Sequence, residues 1–273
     1  MITFPNAKIN LGLYITQKRL DGFHNIETIF LPIPKLCDIL EVLPITAGHN
    51  SIKFSQSGLA VDGDISQNLC VKAYHLLNSY TALPKVTMHL HKQIPMGAGL
   101  GGGSADGAFA LKMLNSLSDN PLDEAKMLEI ALELGSDCPF FLINKPCFGQ
   151  GRGEVLSPIN LPLKGYFIAI VNPGIHVNTG FTYKNSHPKP APINLQQLDS
   201  LPPSVWRDSV CNDFEKVVFP HHPEIERVKE KLYQLGAVYS SMSGSGSTVF
   251  AIFADVPVLE DSFQNYFTHV SQI

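Results

Sequence analysis

The sequence predicts an α+β protein of two lobes, and three observations lead there. Residues 86–92 alternate apolar and polar as a strand does, a glycine run follows at once, and an almost wholly apolar helical stretch follows that. The composition shifts near Ser157-Pro158, which places a lobe boundary there and divides the chain into 1–157 and 158–273. A chain of 273 residues is long enough for one large domain or two modest ones.

The first strand covers residues 7–15. Ile9, Leu11, Leu13 and Ile15 fall on one face, and Lys8, Asn10, Gly12 and Tyr14 on the other. Lys8 and Asn10, two apart on the polar face, either point into a site or line a solvated edge, and spacing alone favours the edge. Asp21-Gly22 is a strong turn signal that ties a hairpin with residues 25–32. Phe23 and His24 sit just after that turn. Residues 39–43 and 51–54 read as short strands with polar, Gly-bearing connections. Asn68 caps a helix running to about residue 80, with Leu69, Ala73, Leu76 and Leu77 inward.

Residues 105–114 form the helix after the glycine run. Asn120-Pro121 opens another, with Asp123 and Glu124 at its dipole-positive start and Gly135 at its end. Asp137 then stands beside an apolar run, where an unpaired carboxylate is costly. It is an N-cap before Pro139, or a carboxylate facing a reaction site, and the two roles are compatible. Residues 148–154 read as a flexible connection, 166–171 as a buried strand, and 184–204 as a long surface loop. Residues 223–235 are an amphipathic helix with Gly236 as its C-cap. Residues 238–242 and 248–253 pair around Ser243-Gly244-Ser245-Gly246-Ser247, which is either a plain hairpin turn or a loop that closes over phosphate.

Composition narrows the function. A net charge of −4 with pI near 6.2 argues against a nucleic-acid or anionic-membrane surface, and requires local positive charge if the ligands are polyphosphates. Cys37, Cys70, Cys138, Cys147 and Cys211 are odd in number and lack metal-ligand spacing, which indicates reduced thiols in a cytoplasmic protein without zinc. The N-terminus lacks a basic segment and an apolar core, so no signal peptide is expected, and no apolar run approaches a membrane span.

The run Pro95-Met96-Gly97-Ala98-Gly99-Leu100-Gly101-Gly102-Gly103-Ser104-Ala105 holds five glycines in seven residues. Exposed N–H groups leading into a helix N-terminus make an anion site. Gly97 to Gly102 also fit the dinucleotide fingerprint, but Pro95 and Met96 part strand from loop and no acid-ended second strand follows. A Walker loop needs a lysine that is not there. The long match is to the phosphate loop of the GHMP kinases, which this chain resembles over nearly its whole length. The Ala7-Lys8-Ile9-Asn10 segment, Asp21-Gly22-Phe23-His24, Gly135-Ser136-Asp137-Cys138-Pro139 and the late Ser-Gly loop occur in the order of one branch of that family.

That resemblance implies a ribosomal-protein-S5-like N-terminal lobe and a ferredoxin-like C-terminal lobe. It implies ATP-dependent, Mg²⁺-assisted phosphorylation of the 2-hydroxyl of a cytidine diphosphate methylerythritol, a small-molecule partner rather than a nucleic acid or membrane. Lys8 and Asp137 would be the catalytic pair. Asn10, Phe23, His24, Thr179 and Tyr183 would bind the acceptor, with Phe23 and Tyr183 stacking on cytosine. ATP would lie along Pro95 to Ala105, with Asn68 and Lys92 near the nucleoside. Two departures from the family pattern stand out. Phe23 replaces a common tyrosine, which keeps stacking and loses a hydroxyl. Ala105-Asp106 replaces Ser-Asn, so Asp106 either points away from the phosphates or helps hold the metal. The metal ligands are unassigned, and monomer and homodimer are both compatible with the sequence.

Overall fold

The computed structural model describes residues 1–46, 51–60, 63–259 and 262–273. Part of the Gly-bearing connection expected before residue 51 lies outside them. In chain order the elements begin β1 (Ile2–Thr3), β2 (Asn6–Lys18), β3 (His24–Cys37), β4 (Ile39–Pro44), β5 (Ile52–Gly58), α1 (Leu69–Asn78) and β6 (Val86–Lys92). Helices α2 (Gly102–Leu117), α3 (Glu124–Leu134) and α4 (Cys138–Ile143) follow, then β7 (Cys147–Gln150), β8 (Val155–Pro158), β9 (Phe167–Asn172) and α5 (Thr179–Lys184). The chain closes with α6 (Glu215–His221), α7 (Pro223–Gln234), β10 (Tyr239–Met242), β11 (Val249–Phe253) and β12 (Phe267–Gln272).

The chain divides into two compact units that interleave along the sequence. The first comprises Met1–Ala7, Pro34–Met96 and Gly101–Asn144; the second comprises Lys8–Ile33, Gly97–Leu100 and Lys145–Ile273.

The first unit holds a four-stranded sheet in the order β1-β4-β6-β5, with β5 parallel to β6 and the other pairs antiparallel. Met88 and Leu90 of β6 and Leu40 and Val42 of β4 are buried on one face, as their period-2 spacing requires. Asn68 caps α1 through its side chain, accepting from the Cys70 N–H at 2.9 Å. Cys70, Val71, Ala73, Tyr74 and Leu77 are the buried residues of α1, so Leu69 and Leu76 stand at the border of the buried face rather than inside it. Gly107 lets α1 and α2 approach closely, because a Cβ there would lie 2.9 Å from Leu69 Cβ. Helix α3 starts later than Asn120-Pro121 suggests. The Asn115 side chain ties down the intervening loop through Leu122, and Asp123 caps α3 by accepting from Lys126 N–H.

The second unit holds two four-stranded sheets, β10-β11-β9-β12 and β2-β3-β7-β8. β10 and β11 form the expected antiparallel hairpin, with Met242 opposite Val249. Its core joins Leu13, Ile15 and Ile26 to Val171, Phe214, Val228, Leu232, Ala251 and Phe253. Residues 148–154 are not a flexible connection. They belong to the β7–β8 hairpin, whose turn Gly151 and Gly153 make at φ of +69° and +110°. Residues 184–204 are not wholly a surface loop either: Leu195 and Leu198 are fully buried and pin the segment to the fold, and Trp206 does the same just beyond it. Their Pro, Asn and Ser neighbours concealed these anchors in the sequence.

Candidate active site

In the second unit the candidate residues of β2 lie in a buried polar chain. Lys8 and Asn10 are 4 % and 2 % exposed, so the solvated-edge alternative fails and both faces of the strand are covered. Lys8 Nζ donates to Asn10 Oδ1 at 2.6 Å and lies 5.3 Å from the Phe30 ring centroid. Asn10 Nδ2 donates to Thr28 Oγ1 at 3.1 Å, and the Thr28 hydroxyl donates to the Gly12 carbonyl at 2.5 Å. The Asn10 N–H reaches Ser243 Oγ at 3.3 Å, and that hydroxyl donates to the Gly99 carbonyl at 2.8 Å. Lys8 N–H also donates to the Leu100 carbonyl at 2.9 Å. Residues Gly97–Leu100 of the glycine loop are thereby hydrogen-bonded to the strand that carries Lys8 and Asn10. Thr28 escaped the sequence reading. Its period-2 spacing from His24 and Ile26 on β3 is the signal that places all three on one face.

The Ser-Gly segment after β10 meets the same part of the loop. Thr248 N–H donates to the Ala98 carbonyl at 3.2 Å. A Cβ on Gly99 would lie 2.0 Å from the Ser243 carbonyl oxygen, and Gly99 sits at φ +77°, so only glycine fits. Asn212 Nδ2 donates to the Met242 and Gly244 carbonyls, each at 2.8 Å. Glu215 accepts from the Ser241 hydroxyl, the Met242 N–H and Lys229. The Ser-Gly turn is therefore held from beneath by Asn212 and Glu215, two residues whose only sequence signal was polarity beside buried neighbours.

Three of the expected acceptor residues, Thr179, Tyr183 and His24, lie on or against α5. Asn178 caps this helix, Thr179 Oγ1 is 2.8 Å from Ser245 Oγ, and Tyr183 stacks on His24 with ring centroids 5.1 Å apart. Tyr183 also meets Phe214 edge-on at 4.8 Å. Burial first, then the nearby Lys18, hold His24 below its ordinary value of 6.5, so the ring is neutral at neutral pH. Phe23 has a companion the sequence did not announce: the Arg152 guanidinium lies 3.8 Å from its ring centroid.

In the first unit Gly101, at φ +70°, is the N-cap of α2, and no side chain caps that helix. Among the described residues of this unit, the amides of Gly101 to Ser104 donate to no protein acceptor. That is the donor array an anion needs. Lys92 is 1 % exposed, with its ammonium between the Asp38 and Asp106 carboxylates, the latter at 2.7 Å. Asp38 also accepts from the Gln93 and Ile94 N–H groups. Burial pushes the Asp106 carboxyl well above its ordinary range, against the pull of Lys92. Asp106 thus turns inward to Lys92. Asp137 occupies the N-cap position of α4 with no side-chain capping bond, and it is half-buried.

Comparison with known proteins gives the family. Residues 68–145 match the GHMP kinases N terminal domain, and residues 204–268 match the GHMP kinases C terminal. A 4-diphosphocytidyl-2-C-methyl-D-erythritol kinase of Bacteroides fragilis (strain YCH46) is 49% identical over 254 residues, covering 93% of this chain and 92% of that protein. The enzyme of that name from Porphyromonas gingivalis is 43% identical over 95% of this chain and 94% of its own length. A crystal structure of 4-(cytidine 5'-diphospho)-2C-methyl-D-erythritol kinase superposes with a TM-score of 0.76 at 32% identity, covering 92% of this chain and 90% of that one. A homoserine kinase from Cytophaga hutchinsonii shares the fold at a TM-score of 0.63 and 15% identity, covering 98% of this chain and 94% of its own. The chain belongs to the GHMP kinases, in the family that holds the 4-diphosphocytidyl-2-C-methyl-D-erythritol kinases.

Proposed function

We propose that this chain is an ATP-dependent kinase that phosphorylates the 2-hydroxyl of 4-diphosphocytidyl-2-C-methyl-D-erythritol in non-mevalonate isoprenoid precursor biosynthesis. One observation carries the reading. A buried ammonium, Lys8, sits on a strand hydrogen-bonded to a glycine loop whose amides are free to meet phosphate. Phosphoryl transfer asks chiefly for positioning and charge stabilisation, and this chain has a net charge of −4, so the cations must be local.

The roles follow from the chemistry. ATP supplies the phosphoryl group, and its phosphates would be held by the amides of the 95–105 loop, with Asn68 and Lys92 on the nucleoside side. Asn68 is also a helix cap and Lys92 is paired with two carboxylates, so both act by fixing the ends of α1 and β6. Asp137 orients the 2-hydroxyl and takes its proton as the new O–P bond forms and ADP leaves. Lys8 balances the charge that grows on the transferred group. Asn10 fixes the Lys8 ammonium. His24, neutral, hydrogen-bonds the base, and Phe23, Tyr183 and Thr179 complete the acceptor site. Mg²⁺ in kinase sites takes one or two carboxylates plus phosphate oxygens. Among the described residues no group of three or more acidic, histidine or cysteine side chains is placed to hold a metal ion, and we place the ion with the nucleotide phosphates.

We place the protein in the cytoplasm, on its five unpaired cysteines and the absence of a helix long and apolar enough to cross a membrane among the described residues. We place the boundary between an N-terminal lobe and a C-terminal lobe at 157/158. The test is an ADP-release assay with the cytidine-linked acceptor, mevalonate, homoserine and galactose. Turnover with the cytidine-linked acceptor alone is expected. Turnover with another acceptor would keep the kinase and discard the roles given to Phe23, His24 and Tyr183.

A further inference from the structure

In the second unit a small cavity of about 280 Å³ lies between the segment that follows α5 and the residues of α6 with Asp213 just before it. Its lining sets Lys189, Lys216, His187 and His221 against one carboxylate, that of Asp213. None of these residues belongs to the acceptor, nucleotide or transfer sets proposed above. Two lysines share this concavity in a chain whose net charge is −4.

Local bonds build the place. Asn185 Nδ2 donates to the Phe181 carbonyl at 2.8 Å, Ser186 Oγ to the Thr182 carbonyl at 2.7 Å, and the Ser186 N–H to the Tyr183 carbonyl at 3.2 Å. Those bonds cover the carbonyls at the C-terminal end of α5, which would otherwise oppose an anion nearby. Three residues on, the Lys189 N–H donates to the Ile15 carbonyl at 2.9 Å, so the segment is tied at both ends. Asp213 is buried and spends both oxygens: Oδ2 accepts from the Ile15 N–H at 3.2 Å, and Oδ1 accepts from Lys216 at 3.1 Å. The bond to Asp213 is the first cause that raises the Lys216 ammonium above its ordinary 10.5, and Lys189 lies close enough to interact with it. Two neighbouring ammonium groups repel, and a single carboxylate leaves one positive charge over.

His221 is fixed as well. Its Nδ1 lies 2.9 Å from the Val217 carbonyl, and its ring meets Phe181 edge-on with centroids 5.2 Å apart. A carbonyl only accepts, so Nδ1 holds the proton and Nε2 keeps its lone pair in the neutral ring. Nε2 is suited to accept from the hydroxyl of a singly protonated phosphate while the lysines donate to its charged oxygens. Ligand pockets usually run to about 300–1,000 Å³. A cavity at the foot of that range admits a phosphate group with a short organic tail and is too small for a nucleotide.

We infer that this cavity is a second anion site, which holds a phosphate group, as inorganic phosphate or a small phosphate monoester, through Lys189, Lys216 and His221, with His187 beside them. The inference goes beyond the proposed phosphoryl transfer and does not depend on it.

The experiment reads the two lysines directly. Native protein is acetylated with limiting reagent in inorganic phosphate, in glycerol 3-phosphate, and in sodium chloride of matched ionic strength. Mass spectrometry follows Lys189, Lys216 and the neighbouring Lys184. Saturating phosphate ligand should slow modification of Lys189 and Lys216 by at least about fivefold against chloride, with Lys184 unchanged. Protection by both ligands supports a site for the phosphate group itself, and protection by the monoester alone supports one that also reads the organic tail. Equal rates in all three solutions would overturn the inference, as would equal slowing of Lys184. Calorimetric titration of inorganic phosphate into wild type and Lys189→Gln is the second measure. Lys189 is exposed, so the substitution should leave the fold intact. The variant should bind at this site at least about tenfold more weakly. Its kcat should equal that of wild type. Unchanged phosphate binding in the variant would overturn the site, and a matching loss of kcat would overturn its separateness from the transfer site. If wild type turns over none of the tested acceptors, the proposed function falls, while protection of Lys189 and Lys216 still reads this site.

Discussion

At the scale of single residues, burial decides what each polar group does. Lys8 and Asn10 are buried together, and a buried ammonium is tolerated because it is hydrogen-bonded. In the proposed transfer its value lies in being fixed beside the glycine loop, where reorganisation is small. We expect Lys8→Ala and Asp137→Ala each to lower kcat by at least about a hundredfold while ATP binding is largely kept, which calorimetric titration would check. Near-normal turnover in either variant would remove that residue from the mechanism. His24 gives a pH signature. Its folded-state value lies below 6.5, so it stays neutral from mildly alkaline pH down to that point and charges only at lower pH. The KM for the acceptor should be flat above 6.5 and rise below it, where protonation removes an acceptor nitrogen. Protonation in the folded state is disfavoured, so stability too is lost only as pH falls below the unfolded value. A KM that rises toward alkaline pH would show that charged His24 binds the base. Gly99→Ala should cost both fold and activity, since its Cβ would lie 2.0 Å from the Ser243 carbonyl.

At the scale of elements, the sequence was legible wherever one local rule dominated. β6 runs over the residues its alternation marked, and α7 and the β10–β11 hairpin agree to within a residue. The misreadings arose where long-range contacts overrode local composition. Gly-rich residues 148–154 pair as β7–β8 because β3 supplies a partner: Ile29 lies opposite Phe148, and Phe30 fills the space over Gly149. The glycine loop and β2 were visible as motifs, but not the hydrogen bonds through Ser243 that join them. Those run between positions 233 and 144 residues apart. Nor was the partner of Asp106 visible, because Asp38 lies between β3 and β4 and Lys92 ends β6. In that cluster Asp38 has two N–H donors besides Lys92, whereas Asp106 Oδ1 is buried with no partner among the described residues. Asp106, whose carboxyl burial raises, is the group in this cluster that holds a proton most readily. Its folded value lies above the unfolded 3.8, so native protein keeps a proton that the unfolded chain loses, and stability declines as pH rises from that point. Asp106→Asn should abolish this decline in urea midpoints measured across pH, and leave Mg²⁺ dependence unchanged. Parallel pH profiles in wild type and variant would place the proton elsewhere. Lys92→Met, which strands two buried carboxylates, should lose about 3–5 kcal/mol.

At the scale of the whole molecule, the two compact units draw on alternating stretches of chain, so a shift of composition along the sequence marks position and not membership. The cysteines, by contrast, could be read from number and spacing alone, and their chemistry is a property of the whole fold. All five are free: Cys70, Cys138 and Cys147 are buried, and Cys37 and Cys211 are half-buried. Burial is the first cause that raises every one of these thiols, and Cys138 is pushed up to about 12. The thiolate is the reactive form, so raising the thiol suppresses alkylation and oxidation near neutral pH. Neither the proposed transfer nor the proposed binding set uses a thiol. Iodoacetamide added to native protein should therefore label at most Cys37 and Cys211, leave kcat unchanged, and reach all five sites only after denaturation. Omitting reductant should not alter turnover. Mass spectrometry of the labelled peptides reads each site separately. Rapid labelling of Cys138 in native protein would mean that α4 opens locally on the experimental timescale. Asp137, one residue before it, would then be held less firmly than a residue that must align a hydroxyl requires.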